Sequence, residues 1–366
     1  MNIKINRDIL LIPLSKVSSI VEKKHTLPIL SNLLLEGSDK TLKFTVTDLE
    51  MQISLSIKIN LEEEFKTTLS VRKLFDITRA LPENSQLDFK IEDSKIIVKA
   101  ARSRFNLQTL PAKDYPVMQK NSDKATVFSI SQKDLKNILK QVDFSMAQQD
   151  IRYYLNGLLF EVDGKKLNIV GTDGHRLSFT SCDLNELFDK TQIIVPRKTI
   201  LELIKLLSDT EEVVKVSIGK NQINFKFNEI DLISKVIEGQ FPDYHRVIPE
   251  GHKNIFVINR QQLLSSMQRA SILSNEKYRG IRMLVEKNNL KLISTNGEQE
   301  KAEEELEIEY TGEPIDIGFN VTYLIDVLTN IQFDRLSFAF NDSNSSCLVT
   351  IPNNNDYKYV VMPMRI

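Results

Sequence analysis

The chain has 366 residues, 41% of them hydrophobic and 27% charged, with a formal net charge of −1, two cysteines and four histidines. That length supports two to three domains with a core apiece, and no apolar run approaches the ~20 residues that span a bilayer. The N-terminus, MNIKINRDIL, lacks the apolar centre of a signal peptide, and Cys182 and Cys347 lie far apart; a cytoplasmic protein with two free thiols is predicted.

From Ile5, INRDILLIPLSKVSSIVEKK reads as a helix with apolar residues at three- and four-residue steps, disturbed by Pro13. LPILSNLLLEGSDKTLKFTVTDLEM then gives two apolar runs that close on Thr47-Asp48. VRKLFDITRAL from Val71 is a short amphipathic helix, and LDFKIEDSKIIVKA alternates as strands do. The polar residues 116–124 (PVMQKNSDK) form a linker.

The same order then returns. ISQKDLKNILKQVDFSM from Ile130 is a helix with Ser131 as N-cap. YLNGLLFEVDGKKLNIVGTDGHRL reads as a β-hairpin, with Asp163-Gly164 supplying the positive φ angles of a tight turn. PRKTILELIKLL follows from Pro196, which suits a first helical turn, and strands run through VVKVSIGKNQINFKFNEIDLISKV. After a second linker, residues 248–254, come the helix INRQQLLSSMQRASIL with Asn259 as N-cap, YRGIRMLVEKNNLKLISTNGEQE, the helix NVTYLIDVLTNI and the strands of LSFAFNDSNSSCLVTI. Thr47-Asp48, Thr172-Asp173 and Thr295-Asn296 mark one point in each copy, 125 and 123 residues apart. The prediction is an α+β protein of three tandem repeats, at 1–120, 126–249 and 254–366, each with antiparallel sheets and two helices.

Charge is segregated. Over the six predicted helices (7–24, 71–80, 131–143, 196–207, 260–272 and 320–330), Lys and Arg outnumber Asp and Glu by 15 to 7, although the whole chain is slightly acidic. A basic helical surface suits phosphate backbones without base readout, and no base-reading motif is present. The first repeat carries Lys99, Arg102 and Arg104 around Phe105 and Leu107. The third carries Ile272 and Leu273, and the acidic Glu298, Glu300, Glu303, Glu304, Glu305 and Glu307. A basic-apolar edge at one end and an acidic-apolar edge at the other predict head-to-tail association, which closes into a ring when the angles allow. Domains of this size are beads about 35 Å across, so three enclose no useful hole, whereas six enclose one wide enough for a DNA duplex.

Nine blocks in order over the whole length now carry a family resemblance: LPILSNLLL, SRFNLQTLP, QDIRYYLNGLLFE, TDGHRLS, IVPRK, GQFPDYHRVIP, ILSNEKYRGIR, GFNVTYLIDVL and YVVMPMRI. The sequence resembles the bacterial DNA polymerase III beta subunits, the β sliding clamps. The resemblance implies a homodimeric ring of six domains, with helices lining the hole and sheets outside, acting as a processivity factor on double-stranded DNA. It implies loading by an ATP-driven clamp loader, no catalysis and no cofactor, and a place in the bacterial cytoplasm at replication forks. The implied partners are the replicative polymerase, translesion polymerases, DNA ligase, mismatch-repair proteins and initiation regulators, all held through short peptides.

The family's peptide pocket, between the second and third domains, falls on Leu155, Thr172, Gly174, His175, Arg176, Leu177, Pro242, Arg246, Val247, Tyr278, Asn320, Tyr323 and Ser346. Val360, Val361, Met362, Pro363, Met364 and Arg365 of the tail complete it; an apolar tail with two methionines suits a pliable peptide-binding surface. Its DNA-contacting positions fall on Lys24, Arg72, Gln149, Tyr153, Tyr154, Arg197 and Lys198. Two departures stand out: Asn344 replaces a small apolar residue and puts a polar spot on the pocket wall, and Lys24-His25 replaces Arg-Pro, keeping charge but losing a bidentate fork.

Two other readings compete. Asp173 and His175 could share one side of a strand in a hydrolase, but the chain has no G-x-S-x-G and no Walker A sequence. His25, His175, His245 and His252 lack metal-ligand spacing. A monomeric three-repeat adaptor that binds peptides but not DNA would leave the helix charge and the complementary ends unexplained.

Overall fold

The computed structural model describes residues 2–21, 27–61, 63–92, 94–119 and 125–365. The first third runs β1 (Asn2–Asn6), α1 (Arg7–Val17), β2 (Asn32–Ser38), β3 (Thr41–Thr47), β4 (Met51–Lys58), β5 (Phe65–Ser70), α2 (Val71–Ala80), β6 (Gln86–Ile91), β7 (Lys95–Ala100) and β8 (Ser103–Gln108). The middle third runs β9 (Thr126–Ser131), α3 (Gln132–Lys140), β10 (Gly157–Thr172), β11 (Arg176–Pro196), α4 (Arg197–Leu206), β12 (Val213–Ile218), β13 (Gln222–Phe227) and β14 (Ile230–Lys235). The last third has β15 (Asn254–Asn259), α5 (Arg260–Ser271), β16 (Gly280–Glu286), β17 (Asn289–Thr295), β18 (Lys301–Glu307), β19 (Ile315–Asn320), α6 (Val321–Asn330), β20 (Arg335–Phe340), β21 (Cys347–Ile351) and β22 (Asn354–Val361).

Each third therefore opens with a strand, and the helices predicted from Ile5, Ile130 and Ile258 begin two residues later. Those isoleucines belong to short alternating strands that run straight into the helix N-caps, and no turn residue separates the two periods. Helix α1 passes through Pro13 and ends at Val17, well short of the predicted Lys24. Asn259 caps α5 as predicted, its side-chain oxygen accepting from Gln262 N at 2.9 Å.

The first helical residue also repeats a role. Arg7 donates to the carbonyls of Thr78 and Arg79 at the end of α2, and Arg260 donates to Leu328 O at the end of α6 and to Phe333 O just beyond it. A fixed cation at a helix C-terminus satisfies carbonyls that have no partner within the helix. In the middle third Gln132 takes the position, its side chain receiving Ser208 N–H.

The hairpins differ from one another. Asp39 and Lys40 both take positive φ, 46° and 60°, as a two-residue turn between β2 and β3 requires. At Asp163-Gly164 only the glycine does, with φ 60°, so the predicted pair of positive angles is not there and the turn is bulged. The chain still folds back within β10: Glu161 and Asn168 hydrogen-bond at 3.2 Å, where seven steps of a straight strand would cover about 23 Å. Strand β11 serves both arms, residues 177–183 pairing with 166–172 and residues 191–196 with 157–162.

By contacts the chain forms two compact units, Met1–Lys133 with Leu201–Val236, and Asp134–Ile200 with Ile237–Ile366. The first unit holds an eight-stranded sheet in the order β5-β2-β3-β4-β14-β13-β12-β9, and a four-stranded sheet, β1-β6-β7-β8. The second holds β10-β11-β22-β21-β20-β15, equivalent to eight segments once the fold-back is counted, and the four-stranded β18-β17-β16-β19. Strands of different thirds thus share one sheet twice, at β4–β14 and at β11–β22. In the last third, Leu263 and Met267 of α5 and Leu324 and Leu328 of α6 are fully buried against Ile281, Leu292, Phe338 and Val349, each such side chain contributing about 2 kcal/mol.

Candidate functional site

The tip joining β10 to β11 explains the repeated Thr-Asp. Thr172 Oγ1 donates to Arg176 O at 2.6 Å and accepts from Gly174 N, while Asp173 Oδ1 accepts from the His175 and Arg176 amides. Thr47 and Asp48 make the same bonds around Met51, and Asn296 accepts from the Glu298 and Glu300 amides in the third copy. The motif is a turn-former. Gly174 has φ 90°, which L side chains rarely adopt, and a Cβ there would stand 2.8 Å from the Arg152 guanidinium, which would have to shift to admit it.

Beside this tip lies a cavity of about 120 Å³ lined by Arg152, Tyr154, Leu155, Thr172, Gly174, His175, Arg176, Leu177, Pro242, Val247, Val360 and Met362. Its size suits one or two apolar side chains; cofactor-sized ligands need ~300 Å³ or more. Beneath it Leu159, Val170, Leu177, Ile194, Phe241, Tyr244 and Val360 form one buried cluster. The tail closes one side: Val360 and Val361 end β22 fully buried, Met362 N–H donates to His175 O at 2.9 Å and Met364 N–H to Gly318 O at 2.8 Å. Met362 remains 42% exposed.

Arg176 is a pillar more than a wall. Its guanidinium meets Asp173, Asp326 and Phe144 O at 3.0, 2.6 and 2.6 Å, and sits over the rings of Phe144 and Tyr323. Tyr244 donates to Glu161 at 2.6 Å. Burial opposes charge on Glu161, but hydrogen bonds from Tyr244, Asn168 and Lys190 outweigh it and hold the carboxyl below its ordinary pKa.

The structure thus brings together ten of the predicted pocket residues and adds Arg152 and Tyr154. Arg152, missed in the sequence, is held by Asp150 through two hydrogen bonds and donates to Asp173 O at 3.1 Å. The others stand apart from the cavity wall. Arg246 is exposed and paired with Asp243. Tyr278 is exposed beneath Lys277, Asn320 caps α6, and Tyr323 supports Arg176. Ser346, Val361, Pro363, Met364 and Arg365 also lie off the lining. Asn344 is exposed in the turn organised by Asp342 and puts no polar spot on this wall.

The predicted DNA-facing residues are dispersed. Lys24, with His25, lies outside the described residues. Arg72 and Gln149 are exposed and Tyr153 is 60% exposed, whereas Tyr154 is half-buried on the cavity wall. Arg197 and Lys198 are half-buried at the start of α4, with Arg197 Nη1 3.4 Å from the carbonyls of Asp143 and Met146. Burial raises the Asp143 carboxyl to about 6 against the pull of Arg197. Several helix cations are engaged within the chain, among them Arg7, Lys133, Lys205 and Arg269, so the basic surface is thinner than the count of residues suggests.

The two predicted association edges are both outermost strands. On β8, Arg104 is exposed and Leu107 is buried, with Phe105 between them in exposure; Arg102 is exposed in the preceding turn. On β18, Glu303 pairs with Lys291 and Lys301, and Glu304 with Arg269. Hydrogen bonds from Lys301 and Lys291 hold the Glu303 carboxyl down at about 2. Glu298 and Glu300 are exposed in the turn before β18, Ile272 at the end of α5 is 76% exposed, and Leu273 is half-buried.

Family models described as the N-terminal, central and C-terminal domains of the DNA polymerase III beta subunit match residues 1–119, 129–243 and 245–365. The chain is 45% identical to the beta sliding clamp of Pseudomonas aeruginosa and 40% identical to that of Escherichia coli K12, with 100% of both chains covered in each case. A solved structure of DNA polymerase III subunit beta from Pseudomonas aeruginosa bound to griselimycin superposes with a TM-score of 0.97 at 45% identity, covering 100% of both chains. The repeated strand-helix order, the shared sheets and these likenesses agree: the chain belongs to the DNA polymerase III beta subunit family, the beta sliding clamps.

Proposed function

We propose that two copies of this chain, each of three clamp domains spanning 1–120, 126–249 and 254–366, close into a ring around duplex DNA and hold the replicative polymerase on its template. The observation that carries the reading is the pair of half-sheets. Inside the chain, four strands of one third join four of the next at β4–β14 and at β11–β22; β8 and β18 are the corresponding edge strands, whose outer sides pair with no strand among the described residues. Ile230 faces Leu55 and Asp231 faces Ser54 at the first junction. Transferring that register sets Arg104 against Glu303 and Phe105 against Ala302 of a second copy, opposite charges and small apolar contacts in alternation.

In this reading the helices face the DNA, with Arg72, Arg197 and Lys198 making weak, salt-screened phosphate contacts that permit sliding, and Gln149 and Tyr153 touching the strand near the cavity. Retention is topological, so no bond-making step and no cofactor is needed; an ATP-driven loader opens the ring. The cavity takes an apolar side chain from polymerase, ligase or repair-protein peptides, and griselimycin, so each partner is kept at high effective concentration. Removing residues 362–366 deletes the bonds to His175 and Gly318 and is expected to abolish polymerase stimulation with the dimer intact; loss of the dimer would make the tail structural.

Retention on circular DNA after loading, followed by a single cut, tests the ring. Protein that stays on the circle at high salt and runs off after the cut supports it. Release from circular and linear DNA alike, set by salt alone, overturns it in favour of an ordinary basic-surface binder.

A further inference from the structure

One wall of the cavity, carrying Pro242 and Val247, belongs to residues 238–251, which contain no strand and only the short turn Tyr244–Arg246. Among the described residues, the main-chain hydrogen bonds of this segment are local to it, such as Val247 N and Ile248 N to Tyr244 O. A short side-chain hydrogen bond ties it to the sheet, from Tyr244 Oη to Glu161 Oε1 at 2.6 Å, with the Asn168 side chain also in hydrogen-bonding reach of the phenol. Glu161, on β10, is 4% exposed and is fixed from two other directions by Asn168 Nδ2 at 3.2 Å and Lys190 Nζ at 3.1 Å. The Tyr244 ring stacks on Phe179, with centroids 5.7 Å apart.

We infer that Glu161 and Tyr244 are positioning residues for the peptide cavity: their buried hydrogen bond sets how far Pro242 and Val247 stand from Leu177 and Val360. The inference rests on the reading of this cavity as the peptide site. The carboxylate is a fixed post, held by groups of the sheet itself. The wall is the part that can drift, because packing alone fixes the tyrosine ring against sliding far less than a short bond to a buried charge does. Tyr244→Phe keeps the ring and removes the post's grip. Glu161→Gln keeps an acceptor oxygen for the phenol, and Glu161→Leu removes it.

The test measures griselimycin binding to the full chain by surface plasmon resonance, with thermal melting of every variant. Tyr244→Phe and Glu161→Leu are each expected to weaken binding about tenfold, the scale of one hydrogen bond to a charged group, mainly through faster dissociation. The double variant is expected to lose no more than either single one, and Glu161→Gln, which keeps an acceptor but not the charge, to lose less than Glu161→Leu. Ile97→Val, in the other unit, sets the effect of destabilisation alone. Unchanged affinity in Tyr244→Phe and Glu161→Leu, or a loss that merely follows the melting temperature as in Ile97→Val, overturns the inference. Met362→Glu separates the two levels. If it abolishes binding while Tyr244→Phe does not alter it, only the positioning role falls; if the parent chain does not bind griselimycin, the peptide-site reading and this inference fall together.

Discussion

The junctions inside the chain and the open edges use one architecture with different amounts of charge. Where β4 meets β14, the facing strands present Gln52, Ile53, Ser54, Leu232, Ile233 and Ser234, with Asp231 opposite Ser54 as the one charged side chain of the paired register, and Gln52, Ile53, Ser54 and Ser234 are buried. The strands that stand open carry Arg104, Lys301, Glu303, Glu304 and Glu305 instead. A covalently tethered neighbour is always present, so its junction can carry little charge and pack closely. In the proposed ring, the edges wait for a second molecule, and charge would keep them soluble and reject wrong partners.

The comparison can be broken most severely at the open end. Ile272→Asp puts a charge on an exposed apolar side chain, and is expected to weaken dimerisation at least about 100-fold while leaving the melting of the monomer unchanged; sedimentation across a dilution series reads this. The closed junction should respond the other way. Ile53→Ala leaves a cavity worth about 3 kcal/mol, lowering the melting temperature by several degrees without changing the dimer constant.

A sharper and smaller test reverses charge at the proposed register. Arg104→Glu is expected to weaken the dimer about tenfold, and Glu303→Arg in the same chain to restore part of the loss. No recovery would mean that the strands meet in another register. The smallest effect concerns pH. The Glu303 carboxyl titrates lower in the fold than when unfolded, so its contribution is present above its ordinary pKa and disappears as pH falls through about 2. Glu303→Gln should therefore melt about 1 °C below the parent at neutral pH, the difference shrinking below pH 4.

Local chemistry was legible in the sequence wherever it repeats locally. Thr47-Asp48 and Thr172-Asp173 mark equivalent turns because hydroxyl and carboxylate bond to amides only two or three residues on. The opening strands were read as helix because Asn2–Asn6 alternates for too few residues before the cap of α1. Joining of the thirds is invisible locally: Leu55 and Ile230, paired across β4 and β14, carry no mark of each other. The cavity's apolar half followed from the family resemblance, but Arg152 did not, since its position is visible only through the space that Gly174 leaves for it. Asn344 misled for the opposite reason, as a residue type cannot tell which side of a turn it occupies.

The lysines bound to Glu303 have a consequence for how such a ring would come apart. Lys291 and Lys301 already satisfy that carboxylate within its own chain, so closure exchanges one cation for another and parting strands no bare charge. In the proposed ring the electrostatic difference between shut and ajar would then be small, and Ile272, Leu273 and Phe105 would carry the seal. A loader would have to wedge apart only a greasy latch, and the acidic strand would be ready to re-engage as soon as the wedge is withdrawn.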